Sequence, residues 1–329
     1  MVLVQVTFLV VLLIILAFAA GRVVRGLIVL SEYYRLPKFL ISFVVLGVGT
    51  SLPDIFIGVV SGARGAVDLV LGTVVGANIV VLCVILGVVT FLKGRLLVRE
   101  KTVLDNFGWI FFVLLIPILL FFDGRLQVVD GAILVVVYLM YLYNVKEHQA
   151  RFKYARGQTL LTDLSGGFVG GKGFGVGLEW ANVVVFLVVV MLSSYLVVGQ
   201  ALELSAFFAV SPFLVGSSVV ALGVTLPEMA LGLNALRVRE EEIIWGDLIG
   251  SVITDLTLVV GVAALFSPVS SGLVGFSQLL FPYGFMAACF LLVFLFAFRR
   301  NELTKAEALA LMLLYVVFLS VQLDLAVAG

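Results

Sequence analysis

The chain has 329 residues, 63% of them hydrophobic and 12% charged, with 20 Lys and Arg balanced by 20 Asp and Glu and a mean hydropathy of +1.27. A soluble domain carries about half apolar and about a quarter charged residues, so a globule in water could not cover this much apolar side chain, and lipid must solvate most of the surface. A nucleic-acid-binding protein, a secreted disulfide scaffold, a disordered chain and an ordinary cytosolic enzyme are excluded.

A helix needs about 20 apolar residues to cross a bilayer, and apolar runs between charged or Gly/Pro breaks predict ten spans. In chain order they cover 2–20, 38–62, 67–92, 103–122, 127–145, 177–198, 207–235, 242–266, 276–298 and 304–327. Ala17-Phe18-Ala19 resembles a signal-peptide cleavage site. However, no positive residue precedes the apolar run, while Arg22 and Arg25 follow it, so it reads as a retained first span. The longest interruption joins a basic run, Lys146 to Arg156, suited to anionic lipid head groups, to a glycine-rich stretch. Gly171-Lys172-Gly173-Phe174-Gly175 follows no strand and precedes a membrane helix, so Gly166 to Gly177 reads as a flexible linker rather than a phosphate loop. Cys83 and Cys289 lie inside apolar runs and read as packed thiols rather than a disulfide or zinc site, and His148 reads as solvated.

Assigning Lys and Arg to alternate loops puts 18 on one side and leaves Arg64 and Arg125 on the other. The basic side is expected to be cytoplasmic, which places both termini outside a cell membrane. An internal repeat accompanies this layout. Gly47-Val48-Gly49-Thr50-Ser51-Leu52-Pro53-Asp54 matches Ala221-Leu222-Gly223-Val224-Thr225-Leu226-Pro227-Glu228 at an offset of 174. The same offset sets Gly72 to Ala77 on Gly246 to Ser251, and Gly87 on Gly261. The expected organisation is a first membrane repeat at 1–146, a cytoplasmic linker at 147–176 and a second repeat at 177–329. Five spans per half is an odd number, so the second half is inverted, an arrangement that in secondary transporters puts the substrate site at the midplane.

Pro53 and Pro227 lack the N–H that a helix needs, and each ring crowds the carbonyl four residues earlier. The flanking glycines ease unwinding, so the carbonyls of Gly47 to Thr50 and of Ala221 and Val224 are expected to face a cavity. Thr50, Ser51 and Thr225 add hydroxyls in the same turns, and Asp54 and Glu228 add carboxylates. Asp255 lies 27 residues after Glu228, whereas its repeat mate is Val81. Carboxylate, hydroxyl and carbonyl oxygens are the hard ligands of calcium and sodium rather than of zinc or copper, and an acid at mid-membrane is costly enough to imply a role. The alternative for Asp54 and Glu228 is a cap or a buried salt bridge, but no Lys or Arg lies in the interior of a predicted span. Asn78 reads equally as ion ligand or interhelical hydrogen bond. Asp68 and Asp247, near span ends, read as caps or entrance charges.

These paired segments resemble the alpha repeats of sodium/calcium exchangers, in the calcium/cation antiporter superfamily. The resemblance is strong over residues 44–92 and 218–266. It implies an all-α membrane fold of two inverted five-helix repeats, with broken helices two and seven at the ion site. It further implies calcium export driven by inward sodium movement through alternating access, without catalysis or a cofactor. The family's calcium-binding acids fall on Asp54, usually a glutamate, and Glu228, its hydroxyl pair on Thr50 and Ser51, and its eighth-helix ligands on Ser251 and Asp255. The second hydroxyl pair reads Val224 and Thr225, and Ala77 and Val81 stand where polar residues are usual. The lost oxygens belong to positions the family uses for sodium. They favour a second reading, a proton-coupled antiporter of calcium or another divalent cation. An intramembrane aspartyl protease fits less well, because the acids follow prolines in broken helices, and a passive cation channel would show flux without a counter-ion. The carrier is expected to work as a monomer in the bilayer. Glu228→Gln should abolish calcium transport in proteoliposomes while leaving a folded protein, and retained flux in that variant would sink the assignment.

Overall fold

The computed structural model describes residues 2–34, 49–98, 101–123, 126–149, 176–237, 241–266 and 276–328. Seven helices there are long and apolar enough to cross a membrane, and Leu52–Ala63, Gly108–Leu120 and Val128–Asn144 are shorter apolar helices. In chain order these correspond to the ten predicted spans. Gly47, the glycine-rich linker and most of the basic run lie outside the described residues, and of His148 only the backbone is described.

Two spans outrun their predicted ends. Span one is a single helix over Val2–Tyr33 and span six runs over Val176–Phe208. Charge did not stop span one, because the Arg22 guanidinium sits over the rings of Phe18 and Phe186, at 5.6 and 5.3 Å from their centroids. An arginine can lay its apolar stem along a helix and keep its head on an aromatic face or in the head groups. The expectation that no Lys or Arg lies inside a span is therefore corrected, since Arg22 and Arg25 fall within the apolar stretch Val4–Leu27. In span six, Gln200 donates to Glu203 at 2.9 Å, so the polar pair after Gly199 satisfies itself and the helix continues.

The central helices are irregular where the repeat is densest. Span three is Val67–Ile79, a π-helical stretch Val80–Ile85, then Leu86–Lys93. Span eight is Glu241–Thr254, a π-helical stretch Asp255–Val259, then Val260–Phe266. The two wide turns occupy matching places in the two copies, and such turns cluster at functional sites. Span seven opens with Pro212–Val215, widens over Gly216–Val220, and resumes as Ala221–Val224. It breaks at Thr225, whose backbone sits at φ −85°, ψ 3°, and continues as Leu226–Arg237. Ser51, at φ −81°, ψ 6°, makes the corresponding break before Leu52–Ala63 of span two. In both copies the proline is the second residue of the new helix, where its missing N–H costs least.

Glycine sets how closely these helices meet, as expected where lipid gives no hydrophobic drive for helix association. A Cβ on Gly72 would fall 2.2 Å from the Phe213 carbonyl oxygen, and one on Gly76 2.4 Å from that of Ser217. Spans three and seven, from opposite repeats, thus touch backbone to backbone. The matched glycines Gly87 and Gly261 also behave alike: Gly87 receives Met312 of span ten, and Gly261 faces Gly131 and Leu134 of span five. A short ribbon, unforeseen because three residues carry no periodicity, pairs Arg95–Leu97 with Glu302–Thr304 antiparallel. It holds the start of span eight through Trp245, whose indole N–H donates to the Leu97 carbonyl at 3.1 Å. Cys83 and Cys289 are free buried thiols.

Gly76→Ala should lower the unfolding midpoint of the detergent-solubilised protein, with an overpacking cost of about 1–3 kcal/mol. Gly284→Ala, whose Cβ would meet nothing within 4 Å, should not. Equal midpoints would show that spans three and seven do not meet this closely.

Candidate cation site

The two helix breaks carry Thr50, Ser51 and Asp54 on span two and Thr225 and Glu228 on span seven. Spans three and eight cross beside them and contribute Asn78, Ser251 and Asp255. Asp54, Glu228 and Asp255 are each only 2% exposed. Glu228 lies within electrostatic reach of Asp54, Asp247 and Asp255, and Asp255 within reach of Asp54 and Asp247. Among the described residues no Lys or Arg pairs with any of the four. Nor do any three His, Cys, Asp or Glu side chains among the described residues converge tightly enough to hold a metal ion. The acids are neighbours without forming a closed cage.

The hydrogen bonds show which oxygens stay open. Thr225 donates its hydroxyl to the Ala221 carbonyl at 3.0 Å, and Ser251 donates to the Leu248 carbonyl at 3.3 Å. A hydroxyl that spends its proton on the helix turns its lone pairs outward. The Asn78 amide N–H donates to the Val74 carbonyl at 2.7 Å and to Asp255 Oδ2 at 3.4 Å, leaving its own oxygen unmet. Ser51 lies beside Asp255 but its hydroxyl closes no hydrogen bond. One oxygen each of Asp54, Glu228 and Asp255 is likewise buried without a hydrogen-bond partner. A buried polar atom without a partner costs about 1–3 kcal/mol, more when charged. Five of them on four neighbouring spans mark a region able to take a ligand that supplies what the protein withholds.

Two expectations change here. Ala221's carbonyl is not free, since it accepts both the hydroxyl and, at 3.3 Å, the backbone N–H of Thr225. Asp247 is neither a cap nor an entrance charge. It is the seventh residue of Glu241–Thr254, 5% exposed, and accepts the Thr50 hydroxyl at 3.3 Å. The signal was present in the sequence, because Asp247, Ser251 and Asp255 recur every four residues, the spacing of one helix face. Asp68 is only half-buried at the start of span three. Val224 is fully buried at the break, and Ala77 and Val81 are buried apolar positions.

Inverted five-helix repeats with buried acids on broken central helices define a multi-pass membrane antiporter. The family model of the sodium/calcium exchanger protein matches residues 4–146 and 178–323, and the chain belongs to that family. It is 25% identical over 295 residues to the inner membrane protein YrbG of Escherichia coli, covering 88% of this chain and 87% of that one. It is 26% identical to the sodium/calcium exchanger MaX1 of Methanosarcina acetivorans, covering 97% of this chain and 99% of that one. Structures of the sodium-calcium exchanger NCX_Mj share the fold, with a TM-score of 0.63 at 21% identity over 97% of this chain and 99% of theirs.

Ser51→Ala removes a buried hydroxyl that has no partner, so the ion-free protein should keep its unfolding midpoint. The rise in that midpoint on adding calcium should shrink. A midpoint that falls equally with and without calcium would show that the hydroxyl is bonded within the protein.

Proposed function

We propose that this chain exchanges calcium for sodium across the cell membrane by alternating access, with both termini outside, acting as a monomer. The observation that carries the reading is the pair Asp54 and Glu228, supplied by the two copies of one segment and each leaving a buried oxygen open. Calcium binds between them, with Thr50, Ser51, Thr225, Ser251, Asn78 and Asp255 supplying further oxygens, and Val224 supplying a carbonyl.

The physics of exchange follows from charge. Like charges in low dielectric repel, so an empty, fully ionised site resists closing, and the carrier crosses only when cations neutralise it. Calcium satisfies two carboxylates at once. Sodium ions do so singly at overlapping positions, and their arrival displaces calcium before the two repeats rock. Leak is suppressed because the empty site does not occlude.

A second reading couples calcium to protons. It is supported by Ala77 and Val81, which put buried hydrocarbon where the family's sodium positions carry oxygens. Radiolabelled calcium uptake into proteoliposomes at clamped potential separates the two. Uptake driven by an outward sodium gradient and absent under an outward proton gradient is expected. The reverse pattern would establish proton coupling, and no uptake under either would overturn calcium as cargo.

A further inference from the structure

Asp247 lies within reach of the acids of the cation site proposed above, and its role rests on that reading. Asp247, Ser251 and Asp255 form a buried stripe along span eight, with a rise of about 12 Å from first to last. Their repeat mates on span three are Thr73, Ala77 and Val81. Thr73 turns its hydroxyl back onto the Leu69 carbonyl at 2.8 Å, and the other two are hydrocarbon. One copy of the face therefore carries two carboxylates and the other carries none.

Asp247 is also held in place from two sides. Thr50, from the opposite repeat, donates its hydroxyl to Oδ1 at 3.3 Å, and Trp245 pins the same turn of helix to the Leu97 carbonyl. Glu228, within reach of Asp247, keeps Oε2 buried and without a hydrogen-bond partner. Two buried carboxylates within electrostatic reach of each other, with no Lys or Arg paired to either among the described residues, need a cation or a proton to be tolerated. A role for Asp247 as a helix cap is excluded by its place in the second turn of Glu241–Thr254.

We propose that Asp247 is a direct ligand of the transported cation, a fourth acid that extends the site toward the Thr50 end and supplies the charge that Ala77 and Val81 do not. The chain thus carries on span eight the charge that the matching positions of span three lack. The site is lengthened along that helix rather than spread evenly between the repeats.

Equilibrium binding of radiolabelled calcium and sodium to the purified full-length protein tests this. Asp247→Asn keeps an acceptor for Thr50 and removes only charge. Its calcium dissociation constant should rise at least about tenfold, since even outer-shell partners of a metal site cost that much. For sodium the rise should be about threefold, because the lost attraction scales with ionic charge. Asp247→Glu should bind both ions within about threefold of the parent. Should Asp247→Asn not fold, Asp247→Thr, which copies the repeat mate Thr73, is read the same way. Equal losses for both ions would mean that the charge of Asp247 does not act on the cation, and overturn the proposal. Calcium binding lost in Glu228→Gln but untouched in the Asp247 variants would overturn it while leaving the site reading intact. A parent protein that binds neither ion would overturn both.

Discussion

A carboxylate removed from water inside a lipid-embedded bundle has to have its charge met, and the surroundings offer no solvent to do so. Asp54, Glu228, Asp247 and Asp255 all sit in that position, each at most 5% exposed. The described residues give them a few hydroxyl and amide donors and no basic partner. The rest of the architecture can be understood as what is needed to keep four such groups together without neutralising them internally. Breaks at Ser51 and Thr225 fall beside the hydroxyls and carboxylates of the two repeats. The open oxygens around Asn78, Ser51 and the acids are the remaining demand.

Bringing two repeats so close requires contact at their seam without bulky side chains. Gly72 and Gly76 let span three lie on the carbonyls of Phe213 and Ser217. The same device recurs between spans five and eight, where Gly131 and Gly261 face each other. The π-helical stretches at Val80–Ile85 and Asp255–Val259 widen the same two helices at matching points. Asp255 opens the second of these, which rotates it relative to the regular helix that precedes it and sets it beside Asn78 of the other repeat.

The two repeats are therefore alike in backbone and unlike in chemistry. Thr50 and Ser51 correspond to Val224 and Thr225, and Thr73, Ala77 and Val81 correspond to Asp247, Ser251 and Asp255. Backbone symmetry gives the carrier two related ends to open. Chemical asymmetry concentrates charge on span eight, where Trp245 and the Arg95–Leu97 ribbon brace it.

The sequence by itself determined the solvent, the span pattern, the duplication and the Asp54–Glu228 pair. Hydropathy, proline and a 174-residue offset are local signals that survive without coordinates. It misplaced the ends of spans one and six, because whether Arg22 stops a helix depends on Phe186 of a distant span. Its reading of Asp247 as an outer charge failed for a similar reason. The four-residue stripe was legible, but whether a residue six positions into a helix is at the rim or in the core depends on what covers it. Only the tertiary structure showed Thr50 reaching across to Asp247, Asn78 dividing its amide between Val74 and Asp255, and glycine bringing spans three and seven into backbone contact. Each of these is a contact between residues far apart in the chain. Their geometry is set by packing, which no single segment encodes.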